Sequence, residues 1–314
     1  MPYFRGMKKC TLVLLQAILI LVSCKSTQKT VTGNPPVHVD PALNTQNSLL
    51  WQVYGNGLKQ PSYLYGTIHA IPDDDYFLGK NVSKKFKSSS QLIMELDLHK
   101  VDIPTLTQLS LLPDGKTVKD YLSDSDYAVM QHFLEDSIGI KKYTFEKAYA
   151  RFKPFYLEQF IYFKMLGEAR TSYEDVFQDE AEEQNKSIKG LETMEEQLAF
   201  IDTIPINMQF EELVHTMKNF QLEAAKFRQL IEDYKNQNLG AFEKALESEH
   251  QDETAFFTDL LIKRRNTLWI PKLDLWMHDA PCFIAVGAGH LAGPNGLVQL
   301  LRNKGYTVEP ISIN

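Results

Sequence analysis

Cys282-Phe283-Ile284-Ala285-Val286-Gly287-Ala288-Gly289-His290 opens as an uncharged apolar run and closes on a glycine-rich turn and a histidine. A short apolar run bounded by glycine reads as a buried strand. Glycine at its end permits a sharp turn and close backbone approach. The histidine three residues on points into the cleft outside the strand end. Downstream, about Pro294 to Asn303 reads as a helix, Gly305 as its stop, and Tyr306 to Ile311 as a second strand. Strand–helix–strand at this length implies a right-handed parallel crossover. The fold class that follows is α/β (α+β), with a mixed central β-sheet built from two similar halves.

The second half announces itself near the other end. Ser62-Tyr63-Leu64-Tyr65 reads as a strand and runs into Gly66-Thr67-Ile68-His69, another Gly-x-x-His. Leu50 to Tyr54 precedes it, with Gly55-Asn56-Gly57 as a turn, so this strand is the return leg of a hairpin. Lysine-rich residues 83–90 read as a helix and its end. Gln91 to Leu98 reads as a strand carrying two acids, Glu95 and Asp97. From about 104 to 278 the pattern is helical, a large insert. Leu157, Phe160, Ile161 and Met165 show helical spacing after Pro154. Phe210, Leu213, Met217 and Phe220 predict one long helix reaching Tyr234, and Ile188 to Glu192 a short strand between helices.

The chain of 314 residues is 44% apolar and carries a net charge of −7, an ordinary globular composition. Its acidity argues against nucleic acid as a partner. Residues 1–23 read as a signal segment: Arg5, Lys8 and Lys9, then apolar Thr11 to Val22, too short for a comfortable membrane span. Leu21-Val22-Ser23-Cys24 looks like a bacterial lipobox, which makes Cys24 the lipidated first residue and the membrane a partner through that lipid. Residues 24–46 read as a flexible tether and 47–314 as the folded domain. The expected address is the bacterial cell envelope, lipid-anchored, at the outer membrane. Cys10 leaves with the signal, so Cys282 stands alone, at the start of an apolar strand, as a buried inert thiol.

Of eight histidines, only His69 and His290 follow a strand and a glycine turn. His38 lies in the tether, and His99, His132, His215, His250 and His278 read as surface or packing residues. Two converging imidazoles suggest a metal or a catalytic role. Glu95 within an apolar strand is costly to bury without a cation, a metal or several donors. It reads equally well as a solvent-face residue, because Gln91, Ile93, Glu95 and Asp97 alternate with Leu92, Met94, Leu96 and Leu98. Asp97 is a second ligand or orienting group by position. Asp73-Asp74-Asp75 reads as a solvated loop with one acid in reach of the site. Arg264-Arg265 interrupts an apolar helix, so one arginine lies near its buried side, either salt-bridged or holding an oxyanion.

At these residues the chain resembles the TraB/GumN family, which includes the Tiki proteases, across roughly residues 49–312. The resembling pieces are Leu64 to His69, the strand with Glu95, Gly190-Leu191-Glu192-Thr193 with Gln197, Arg265-Asn266, and Val286 to Leu291 with Gly293 to Leu297. The resemblance implies the α/β core of the erythromycin-esterase and ChaN-like superfamily with a helical insert. It further implies a metal-dependent hydrolase acting on a peptide or protein substrate with a divalent ion (Mn, Co or Zn). On it, His69, Glu95 and His290 are metal ligands. Those three and Arg265 are the expected catalytic residues, Glu95 as ligand or general base and Arg265 stabilising an oxyanion, with Tyr65 or Asn266 as substrate-binding residues that add a hydrogen bond. The rival reading is a non-catalytic envelope lipoprotein that captures a peptide or a metal chelate such as haem.

Overall fold

The computed structural model describes residues 47–97, 100, 102–247 and 259–314. The signal segment, Cys24, the tether, His38, Leu98, His99 and His250 lie outside them. A six-stranded mixed sheet has the order β6-β4-β7-β2-β1-β8. Its strands are β1 (Leu50–Tyr54), β2 (Ser62–Thr67), β4 (Gln91–Leu96), β6 (Ser187–Glu192), β7 (Cys282–Gly287) and β8 (Thr307–Ile311). The expected hairpin is β1 against β2, with Leu50 opposite Tyr65. The turn between them is built from left-handed residues, Gly55, Asn56 and Gly57, at φ of 79°, 44° and 83°, which glycine and asparagine tolerate best.

Four neighbouring strands are parallel. Thr67 of β2 faces Gly287 of β7, Met94 of β4 faces Ala285 of β7, and Leu96 of β4 faces Glu192 of β6. These registers bring the carboxyl ends of β6, β4, β7 and β2 to one rim. In open α/β sheets that rim is where ligands bind. Strands β2, β4 and β7 are buried at every position, as expected of parallel strands covered on both faces. The solvent-face reading of Glu95 therefore fails: β4 has no wet face, and Glu95 is 3% exposed. β8 runs in the same sense as β7, but it pairs with β1, two strands away.

The insert is less uniform than its sequence pattern. It contributes β6 to the main sheet and a three-residue strand, β5 (Arg170–Ser172). β5 pairs antiparallel with β3 (Ala70–Pro72), which begins directly after His69. The long helix expected over 210–234 is two, Ile206–Lys218 and Phe220–Lys235. They part at Asn219, whose backbone leaves helical geometry at φ −109° and ψ 20° while its N–H and its side-chain amide both donate to the carbonyl of His215, at 3.0 and 2.9 Å. The helical unit has an apolar core of its own around Met130, Phe145, Leu157, Ile161, Phe210 and Leu213.

Candidate active site

The sheet's carboxyl rim carries the site. Glu192 ends β6, Glu95 lies one residue before the end of β4, and the turns after β2 and β7 deliver His69 and His290. Arg265 reaches in from the first residue of the helix Arg265–Asp279. A π-helical turn, Asp259–Arg264, precedes it, and such a turn shifts which side chain faces inward. Arg264 stays at the surface, bonded to Asp259 at 2.8 Å. Arg265 is 2% exposed.

His69 has a left-handed backbone, φ 59°, unusual for a residue with a Cβ. Its carbonyl accepts from the N–H of Tyr173 at 2.9 Å, continuing the β3–β5 ribbon. Its Nδ1 donates to Oε1 of Glu174 at 3.0 Å. The Nε2 atom is buried, has no hydrogen-bond partner, and lies 4.0 Å from Oε1 of Glu95. Burial pushes the His69 pKa down, but Glu174 and Glu95 more than reverse this, and the net shift is upward.

His290 is held from the opposite side. Asn266 Nδ2 donates to the carbonyls of His290 (3.1 Å) and Asn295 (2.8 Å), so its Oδ1 is free to accept from His290 Nδ1 at 2.7 Å. The imidazole ring lies 4.4 Å from that of Trp269. Its Nε2 is 3.8 Å from the same Glu95 oxygen that His69 faces and accepts from Arg265 at 3.2 Å. Burial is the main reason its pKa falls to about 3.

Glu95 and Arg265 occupy the middle. Glu95 Oε1 accepts from the Gly287 N–H at 2.9 Å and its Oε2 accepts from Arg265 at 2.6 Å. Burial alone would raise the Glu95 pKa; His290, Arg265 and His69 outweigh it and hold the carboxyl far below the usual range. The other edge of the guanidinium grips both oxygens of Glu192, each 3.0 Å from Arg265 Nε. Trp269 Nε1 donates to Glu192 at 2.9 Å. Burial outweighs these partners and leaves the Glu192 pKa raised.

The structure thus brings together His69, Glu95, Arg265, His290 and Asn266. Tyr65 sits elsewhere, 0% exposed among Tyr173, Phe177 and Phe283, with its hydroxyl 3.2 Å from that of Tyr234. The acidic run is also committed elsewhere: Asp73 accepts from Thr171 and Asp75 pairs with Lys235. Asp97 pairs with Lys100 at 2.7 Å. Glu174 is the residue that sequence reasoning misses. It follows Ser172, the N-cap of the helix Tyr173–Glu183, and stands beside Asp175. An acid in a first turn is explained by the helix dipole alone, so nothing in the pattern marks it.

Among the described residues no group of three or more His, Cys, Asp or Glu side chains is assembled to hold a metal ion. The donor chemistry nevertheless suits one. Both imidazoles use Nδ1 on an acceptor and turn Nε2 toward one carboxylate oxygen, and the Nε2 of His69 is an orphan. A metal-ligating histidine is anchored in this way. Arg265 donates to both Glu95 and His290, so the positive charge beside these groups is its guanidinium.

A family model described as the TraB/PrgY/gumN family matches residues 49–310. Metalloprotease TIKI1 of Homo sapiens is 23% identical, with 94% of this chain and 68% of its own length covered. Metalloprotease TIKI1 of Danio rerio is 25% identical (84% and 63%), and Metalloprotease TIKI2 of Xenopus tropicalis 26% (84% and 60%). The chain therefore spans about three fifths to two thirds of the length of these relatives. No solved structure matches it significantly.

Proposed function

The chain belongs to the TraB/PrgY/gumN family, and from that membership we propose that it is a metal-dependent hydrolase of peptide bonds, using His69, Glu95 and His290 as ligands. One observation carries the reading: two anchored imidazoles direct Nε2 at a single Glu95 oxygen, at 4.0 and 3.8 Å. The relatives' naming as metalloproteases supports it. A Mn, Co or Zn ion at these residues would supply Lewis acidity and lower the pKa of a water from ~15.7 toward ~7.

The protein's own groups divide the remaining work. Glu95, held ionised by Arg265 and the two imidazoles, is a charged ligand and a weak base, because a general base works best with a pKa near the working pH. Arg265 is fixed through Nε by Glu192. Its NH1 donates to the Leu261 carbonyl and His290, and its NH2 lies between Glu95 and Glu192, so it stabilises negative charge developing on a carbonyl oxygen through its fixed positive field. Asn266 holds the His290 ring and the loop that carries it. The burial of all four central side chains keeps bulk water from the charges, which strengthens each interaction.

The test is peptide-library cleavage by the purified protein with added Mn, Co or Zn, comparing His69→Ala, Glu95→Gln and His290→Ala. Cleavage that needs metal and all three residues supports the proposal. Metal-dependent retention of a peptide without turnover replaces the hydrolase with a binding protein. We further propose a lipid anchor on Cys24 and an envelope address at the outer membrane. Loss of membrane association in Cys24→Ala tests this.

A further inference from the structure

Glu174 is a buried acid outside the proposed ligand set, 2% exposed. Its Oε1 accepts twice, from Thr67 Oγ1 at 2.7 Å and from His69 Nδ1 at 3.0 Å, and its Oε2 has no hydrogen-bond partner. An ionised carboxylate buried with one oxygen unsatisfied is unfavourable unless a cation or a strong donor compensates. If structure were its whole purpose, a neutral glutamine would accept the same two hydrogen bonds without burying a charge.

The fold aims this carboxylate. The β3–β5 ribbon places Ser172 opposite Ala70, and the Tyr173 N–H closes on the His69 carbonyl at 2.9 Å. Ser172 caps the helix that Glu174 begins. The two partners are therefore locked together at the backbone, on elements about a hundred residues apart in sequence. The same ribbon fixes the backbone of His69, whose φ is 59°.

We propose that Glu174 is a positioning residue that sets the tautomer of His69. A carboxylate only accepts, so it keeps the proton on Nδ1 and leaves the lone pair on Nε2. That lone pair is turned toward Glu95, on the side where an alanine Cβ at 287 would meet Nε2 at 2.9 Å. A glutamine at 174 accepts through its oxygen or donates through its nitrogen. When it donates, the proton moves to Nε2 and the side facing Glu95 has no lone pair. The role in metal binding rests on the hydrolase proposal; the tautomer assignment does not.

The experiment uses 15N-histidine-labelled protein freed of metal with chelator, read by NMR at a pH above the ring's own titration as its 15N shifts report it. His69 in the wild type is expected with Nδ1 protonated. Glu174→Gln shifts a measurable fraction to the Nε2-protonated form and weakens Mn or Zn binding, by calorimetry, by about 10–100-fold. Thr67→Val removes the hydroxyl that donates to Glu174 at 2.7 Å and accepts from the His69 N–H at 3.4 Å but keeps the carboxylate, so it is expected to keep the tautomer and serves where Glu174→Gln folds poorly; a proton moved to Nε2 in it assigns the tautomer to the hydroxyl and overturns the proposal. A wild-type His69 protonated on Nε2, or a Glu174→Gln protein with an unchanged tautomer, overturns the proposal. The expected tautomer shift with no metal bound by either protein upholds the positioning role and sinks the metal-dependent hydrolase instead.

Discussion

The N–H of Gly287 donates to Glu95 at 2.9 Å, and a Cβ placed at 287 would sit 2.9 Å from His69 Nε2 and 3.4 Å from that same Glu95 oxygen. Gly287 has φ −52° and ψ 136°, a conformation any residue adopts. Space, not backbone freedom, demands the glycine. Gly287→Ala must therefore push the imidazole aside while straining little else. The expected outcome is a loss of metal affinity or turnover of tenfold or more, with a stability loss near 1–3 kcal/mol, read by calorimetry and urea unfolding. Unchanged metal affinity would show that His69 Nε2 is not a ligand.

Arg265 stands between two buried carboxylates. Arg265→Met leaves Glu95 and Glu192 uncompensated, and breaking a buried pair from one side costs about 3–5 kcal/mol. Adding Glu192→Gln to that variant removes one orphan charge and should restore part of the loss. Arg265→Lys keeps the charge but not the fork, and should fall between. Urea denaturation of the three variants is the measurement. A loss under 1 kcal/mol for Arg265→Met contradicts the arrangement.

Acid stability of the metal-free protein isolates His290. Its pKa is about 3 when folded, against ~6.5 unfolded. Below 6.5 the unfolded chain takes up a proton that the native state refuses, so stability falls with pH. Between pH 7 and 5 this amounts to about 2 kcal/mol. His69, shifted upward, acts in the opposite sense: its contribution is full below its unfolded pKa and lost as pH rises through the folded one. Both are separated by comparing wild type with His290→Gln, which retains His69. The stability gap between the two proteins should narrow by about 2 kcal/mol from pH 7 to 5. A constant gap would mean that His290 is not held neutral.

Cys282 is 0% exposed, and burial pushes its thiol up to about 12. Iodoacetamide at pH 8 should leave it unmodified in the native protein and label it in urea, with the site mapped by peptide mass spectrometry. Fast labelling under native conditions would show that β7 opens at its start.

The strands at the centre are legible because burial on both faces leaves unbroken apolar runs: Leu92 to Met94 and Phe283 to Val286 could be little else. The two Gly-x-x-His turns are legible for the same reason, since each follows such a run. Arg265 and Asn266 stand out from the helix pattern only through family resemblance; periodicity alone leaves Arg264 and Arg265 interchangeable, and it is the preceding π-helical turn that decides between them. β3 and β5, three residues each, are too short to show a period of two. Glu174 passes for a dipole acid, and the break at Asn219 lies in the backbone angles of a single residue. Alternation along β2 gives no hint that the Tyr65 ring joins the aromatic packing beneath Tyr173 and Phe283.

The ribbon of β3 and β5 gives the molecule a hinge pin. It rivets the middle of the insert, at β5, to the residue next to His69, so that unit cannot be exchanged like a cassette. Grafting the equivalent segment of a relative, or trimming the loops around 167–172, would drag on the imidazole of His69, and a change aimed at what the protein recognises would register first in its chemistry.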